Sequence, residues 1–171
     1  MLETDLLPWV ASVGDLGDDV LEVGPGPGLT TDLLRRRTPK LTAVELDVEL
    51  AASLAARLSD TNVDVVHADA TDSGLASGRF SAATCFSMLH HIPVPETQDR
   101  LFAELCRMLR PGGIFVGTDS VDSEPIRLFH VDDVFVPVDP ITLGSRLEAA
   151  GFSGVTVEPA DYQIRFSATK L

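Results

Sequence analysis

Short apolar runs alternate with segments of helical period along most of this chain. Residues 20–23, 41–47, 63–67, 81–87 and 114–118 read as buried strands. Between them lie apolar positions at helical spacing: residues 29–37, then Ala51, Leu54, Ala55 and Leu58, then Leu101, Phe102, Leu105, Met108 and Leu109 in a helix opened by Pro95. Arg110-Pro111-Gly112-Gly113 reads as that helix's terminator. Asp139-Pro140 opens a last helix, faced by Leu143, Leu147 and Ala150 and ended by Gly151. Two closing strands, residues 155–158 and 162–168, stand a hairpin turn apart. Strands alternating with helices predict an α/β fold. Residues 1–13 offer one short helix at most, interrupted by Pro8, before a turn-rich stretch at 14–19. Residues 122–139 show no clean period and leave the carboxyl end of the sheet, so they are expected to form a substrate-side loop.

The first strand runs into Glu22-Val23-Gly24-Pro25-Gly26-Pro27-Gly28. An apolar strand, a glycine turn and a helix build a nucleotide-type site at the carboxyl edge of an open sheet. The dinucleotide fingerprint would need its third glycine at Leu29, and no lysine precedes Lys40 to complete a phosphate-cradling loop. Pro25 and Pro27 carry no N–H, so the loop has few donors for a pyrophosphate. It suits a nucleoside without phosphates. Glu45 follows Gly24 by 21 positions, near the spacing at which a carboxylate meets a ribose diol.

At 171 residues the chain fits one domain, residues 1–171. Its formal net charge of −13 argues against nucleic acid and anionic membranes as partners. Arg35-Arg36-Arg37 falls at a helix end, where it complements the dipole. Cys85 and Cys106 lie apart in apolar stretches, as buried thiols of a cytoplasmic protein would. No apolar run reaches membrane-spanning length, and the acidic N-terminal residues do not resemble a secretory signal.

The loop resembles the acid-x-G-x-G-x-G signature of class I S-adenosylmethionine-dependent methyltransferases. Further motifs from about residue 20 onward follow that family's order: Phe86-Ser87-Met88-Leu89-His90-His91-Ile92, as in its small-molecule branch, and Leu109-Arg110-Pro111-Gly112-Gly113 before a strand. The resemblance implies a three-layer Rossmann-like fold with a mostly parallel seven-stranded sheet whose last strand is antiparallel. It implies S-adenosylmethionine as cofactor, S-adenosylhomocysteine as product, and Glu22, Gly24, Gly26, Gly28 and Glu45 as cofactor-binding residues. Leu46 matches the position that packs on adenine, Asp69 the acid that takes its amino group, and Ala70 the backbone N–H beside it. Phe86 and Ser87 match the backbone carbonyls that hold the methionine amino group. The family has more N-terminal helix than residues 1–19 provide, so this short cap segment leaves the site open or covered by a partner, including a second copy.

Methyl transfer from a sulfonium asks chiefly for in-line positioning, and for a base only if the acceptor is protonated. The candidate bases are His91, His130 and His90, at strand ends and in the 120–139 segment, with Asp132 or Asp133 to orient His130. The alternatives are that His91 shapes its turn and that His130 is a loop histidine without chemistry. No metal-ligand spacing is present. The expected activity is methylation of a small-molecule acceptor. Two other classes stay open: a methyltransferase-fold protein that binds the cofactor without catalysis, as a partner or capping subunit, and a nucleotide-dependent oxidoreductase.

Overall fold

The computed structural model describes residues 2–129, 134–160 and 162–171. One sheet holds β1 (Asp19–Val23), β2 (Lys40–Glu45), β3 (Val63–His67), β4 (Phe80–Phe86), β5 (Leu109–Ser120), β6 (Phe152–Pro159) and β7 (Gln163–Lys170). Their order is β3-β2-β1-β4-β5-β7-β6. The first five strands pair in parallel, and β7 runs antiparallel to both neighbours. This is the expected Rossmann-like sheet with its reversed last strand. The helices are α1 (Leu7–Val13), α2 (Thr31–Leu34), α3 (Val48–Leu58), α4 (Pro95–Met108), α5 (Glu124–Phe129) and α6 (Pro140–Ala149). A single π-helical turn, Leu2–Leu6, precedes α1.

Side chains alternate across the sheet, and so do the cores. Leu21, Ala83, Cys85 and Phe115 pack with α4 and α6 through Leu101, Phe102, Leu105, Leu143 and Leu147. Their neighbours Val20, Ala82 and Val116 pack on the other face with Leu6, Val10 and Leu34. Phe115 anchors the first layer, its ring 5.3 to 6.3 Å from those of Phe102, Phe152 and Phe166. Burying such rings is worth roughly 1.5–3 kcal/mol each.

Three segments depart from the sequence reading. The helix after the glycine loop is regular only over Thr31–Leu34 and relaxes into turns. Arg37 N–H donates to the Leu34 carbonyl at 2.8 Å in those turns, and Pro39 disfavours helical geometry at Thr38, where they stop. Arg110-Pro111-Gly112-Gly113 lies inside β5, where the pairing with β4 jumps from Phe80↔Leu109 to Ala82↔Ile114. Pro111 lacks a ladder donor and Gly112 has φ +79°, so these residues bulge. The 122–139 segment contains α5, which has Pro125 in its first turn.

Candidate functional site

β1 and β4 are the strands from which the chain winds in opposite directions, and their carboxyl ends open a cavity of about 880 Å³. Open α/β sheets bind ligands at this switch point. The volume lies in the upper part of the range for small-molecule sites.

The three glycines divide their work. All have positive φ, +64°, +54° and +86°. A Cβ on Gly28 would meet Leu54 Cδ1 at 2.4 Å, so this glycine lets α3 close on the loop. A Cβ on Gly24 would meet Met88 Cγ at 2.3 Å. A Cβ on Gly26 would meet nothing within 4 Å, and Gly26 lines the cavity. Gly26 is therefore the point where a ligand can approach the backbone.

Glu45 ends β2 with only 7% of its surface exposed. Its Oε2 accepts from Gly26 N–H and its Oε1 from Asp47 N–H, both at 2.9 Å. The carboxylate ties the two strand-to-helix turns together and retains lone pairs for a ligand at the cavity wall. Leu46 beside it is 66% exposed at the mouth of the cavity, near Leu29 and Leu50. His67 Nε2 lies 3.1 Å from the Leu46 carbonyl. Asp69 caps the 3-10 turn Ala70–Asp72 and accepts from both Thr71 N–H and the Thr71 hydroxyl at 2.8 Å. Both contacts use Oδ1. Asp69 and Ala70 line the cavity, as do Phe86 and Ser87. Ser87 takes φ +54°, a left-handed conformation that non-glycine residues adopt at a cost, and donates its N–H to the Thr118 carbonyl at 2.8 Å.

Glu22 and Gly28 do not line the cavity; they support it from behind. Glu22 is buried, accepts from the Thr30 hydroxyl at 2.5 Å, and keeps Oε2 without a hydrogen-bond partner among the described residues. Burial raises its carboxyl above the ordinary carboxylate range, against the lowering effect of the neighbouring threonine hydroxyls.

The two adjacent histidines are separated by the fold. His91 reaches the cavity, beside Met88, Ile92, Pro93 and Thr97. His90 is 2% exposed and does not line it; its Nδ1 lies 2.6 Å from Asp119 Oδ1. The expectation that His90 meets a substrate is corrected accordingly: its ring is spent on holding the turn. His130, Asp132 and Asp133 lie outside the described residues. Among the described residues, no group of three or more His, Cys, Asp or Glu is placed to hold a metal, and no helix is long and apolar enough to cross a membrane.

Sequence reasoning missed Asp119, Gln98 and Arg165. Asp119 Oδ2 accepts from Leu89 N–H at 2.7 Å, and Gln98 donates to the Leu89 and Val136 carbonyls. Arg165 and Asp5 meet at the far end of the cavity, 2.6 Å apart. An acid ending a buried strand was the available signal for Asp119; nothing local marks the other two.

Residues 21–117 match the family model described as a methyltransferase domain. The chain belongs to this family, the class I S-adenosylmethionine-dependent methyltransferases. It is 35% identical over 117 residues to the ubiquinone biosynthesis O-methyltransferase of Xanthomonas oryzae, a match covering 66% of this chain and 48% of that one. The chain thus spans about half the length of the curated relatives it matches. Its fold is similar to an S-adenosylmethionine-dependent methyltransferase from Mesorhizobium loti, with a TM-score of 0.81 at 17% identity over 99% of this chain and 100% of that one. It is also similar to the cyclase SpnF, with a TM-score of 0.80 at 20% identity over 96% of this chain and 80% of that one.

Proposed function

We propose that this methyltransferase domain binds S-adenosylmethionine along the carboxyl ends of β1, β2 and β4 and methylates a small-molecule acceptor lodged beyond it, toward β5 and β7. The observation that carries this reading is the open space over Gly26, beside the carboxylate that holds its N–H. Glu45 would accept from the ribose hydroxyls, Leu46 would cover one face of the adenine, and Asp69 with the Ala70 N–H would meet its edge. The strained Ser87 and its neighbour Phe86 would turn carbonyls toward the methionine ammonium, and Gly24 would let that end approach the loop. Glu22 and Gly28 act at one remove, by fixing the loop.

When bound, the cofactor supplies a methyl group made electrophilic by its sulfonium. The protein's part is to hold the acceptor in line and keep water out; positioning of this kind accounts for roughly 7–11 kcal/mol in well-oriented systems. His91 stands at the cavity wall and would take the proton of a phenol or alcohol acceptor. That the Xanthomonas relative is named an O-methyltransferase favours an oxygen nucleophile. His130, with Asp132 or Asp133 nearby in sequence, is a second candidate outside the described residues. A cytoplasmic location fits Cys85 and Cys106, which are buried free thiols. A second reading is cofactor binding without methyl transfer; a chain of this fold that is named a cyclase keeps it open. Labelled S-adenosylmethionine incubated with a panel of phenols, quinols and carboxylic acids separates the two. Acceptor-dependent appearance of S-adenosylhomocysteine supports methyl transfer; binding without turnover across the panel favours the second reading.

A further inference from the structure

β7 runs against the other strands, so its first residues arrive at the edge where the parallel strands end. Arg165 stands opposite Thr118 in that pairing, and both line the cavity together with Gln163. β4 and β7 flank β5, which puts their backbones about 10 Å apart at ordinary strand spacing. Arg165 therefore belongs to the end of the cavity away from the glycine loop, where the acceptor lies in the reading proposed above.

Among the described residues that line the cavity, Arg165 is the one permanent cation, against Asp5, Glu45 and Asp69. A cation so placed in a chain of net charge −13 marks where an anion can be held. The guanidinium is pinned from behind: it lies 5.4 Å from the centre of the Trp9 ring, and its side chain is only 22% exposed. Its acidic partner is placed quite differently. Asp5 sits on the π-helical turn before α1, is 54% exposed, and accepts from a single guanidinium nitrogen, Nη2, at 2.6 Å. A guanidinium presents five N–H groups in a fork that matches a carboxylate bidentately, so one contact to an exposed acid leaves much of that capacity unused. With Asp5 more than half exposed to water, this pair contributes little net stability, and exchange of one carboxylate for another is nearly balanced.

We propose that Arg165 is the acceptor-binding cation of this cavity, that the methyl acceptor carries a carboxylate, and that Asp5 occupies the guanidinium until that carboxylate displaces it. This rests on the methyltransferase reading and adds the substrate class to it. The rigid partner is on the sheet and the exchangeable one on the N-terminal segment, so arrival of the acceptor also frees the turn that carries Asp5. A purely structural role, in which Asp5 and Arg165 tether α1, makes opposite predictions for the two side chains.

Trp9 is the chain's sole tryptophan, and its contact with Arg165 makes its emission a local reporter. The test titrates the full chain, saturated with S-adenosylhomocysteine, with benzoate, octanoate and their primary amides. The acids are expected to change Trp9 emission saturably, at concentrations at least about tenfold below the amides. Asp5→Asn, which removes the competing carboxylate, is expected to tighten the acids about threefold or more, and Arg165→Gln to abolish the preference for acid over amide. Equal responses to acids and amides, no response in wild type and Asp5→Asn alike, or weaker acid binding to Asp5→Asn would overturn the proposal. So would an acid response seen only without S-adenosylhomocysteine, which would assign the guanidinium to the cofactor's own carboxylate. Calorimetry of S-adenosylhomocysteine with the same proteins tests the methyltransferase reading separately, since that affinity does not depend on the acid-versus-amide result.

Discussion

Nδ1 of His90 stands 2.6 Å from Asp119 Oδ1, and both side chains are shut away from solvent. The same carboxylate accepts from Leu89 N–H through its other oxygen and from Ser120 N–H at 2.7 Å. One acid at the end of β5 thus fixes the 3-10 turn Leu89–His91, and the His90 carbonyl accepts from Val136 N–H at 2.7 Å on the far side. His91 is presented to the cavity because His90 is held.

Asp119→Ala strands these donors in a buried setting. The expected loss is about 2–4 kcal/mol, at roughly 1–3 kcal/mol for each buried group left unpaired and partly relieved by relaxation. In a protein of this size that lowers Tm by about 4–16 °C, which thermal unfolding followed by circular dichroism measures. A change under 2 °C would contradict the role given to this acid.

His91→Gln removes a base from the cavity while leaving a polar side chain of similar reach. For a phenol or alcohol acceptor, kcat is expected to fall about 10²–10⁴-fold, with the affinity for S-adenosylhomocysteine unchanged. Stopped turnover and calorimetry read the two quantities. Loss of cofactor affinity with kcat intact would place His91 in the wrong role.

Two alanine substitutions separate packing from ligand approach. Gly28→Ala drives a Cβ into Leu54 at φ +86° and is expected to cost about 2–4 kcal/mol. Gly26→Ala meets no protein atom, so it carries only the left-handed penalty of about 1–2 kcal/mol. Its effect falls on the ligand instead, with S-adenosylhomocysteine binding weakened about tenfold or more. Unfolding curves and titrations of both variants show whether the two effects divide this way.

Glu22 gives the stability a defined pH dependence. Its carboxyl is raised on folding because burial disfavours the charged form, so the folded state binds the proton more tightly than the unfolded chain. This contribution is most favourable below the ordinary carboxylate range and is lost as pH rises from that range through the raised value. Glu22→Gln keeps an acceptor for Thr30 and removes the titration, so its stability is expected to match or exceed wild type at pH 7 and to vary less with pH across that window. Chemical denaturation at a series of pH values checks the slope.

Much of the fold was legible because its signals are local. Apolar runs placed the parallel strands, Pro95 and Asp139 opened their helices where expected, and the glycine spacing marked the turn. Arg110-Pro111-Gly112-Gly113 misled because proline and glycine signal a break without saying whether the ladder stops or bulges and resumes. The functions of His90 and His91 could not be told apart in sequence, since which ring turns inward depends on Asp119, 29 residues away from His90. Arg165 and Asp5 lie 160 positions apart and meet only because β7 is reversed. No periodicity reports a contact of that range.

In the reading proposed above, the glycine loop and Glu45 form the nucleoside site for this cofactor. Calorimetric titration of S-adenosylhomocysteine into wild type and Glu45→Ala tests it most directly. Removing a carboxylate that would accept from both ribose hydroxyls, at about 1.5–3 kcal/mol for hydrogen bonds to a charged group, is expected to weaken binding about 10–100-fold while the variant stays folded. Equal affinity in the two folded proteins, or no binding to wild type, would contradict it.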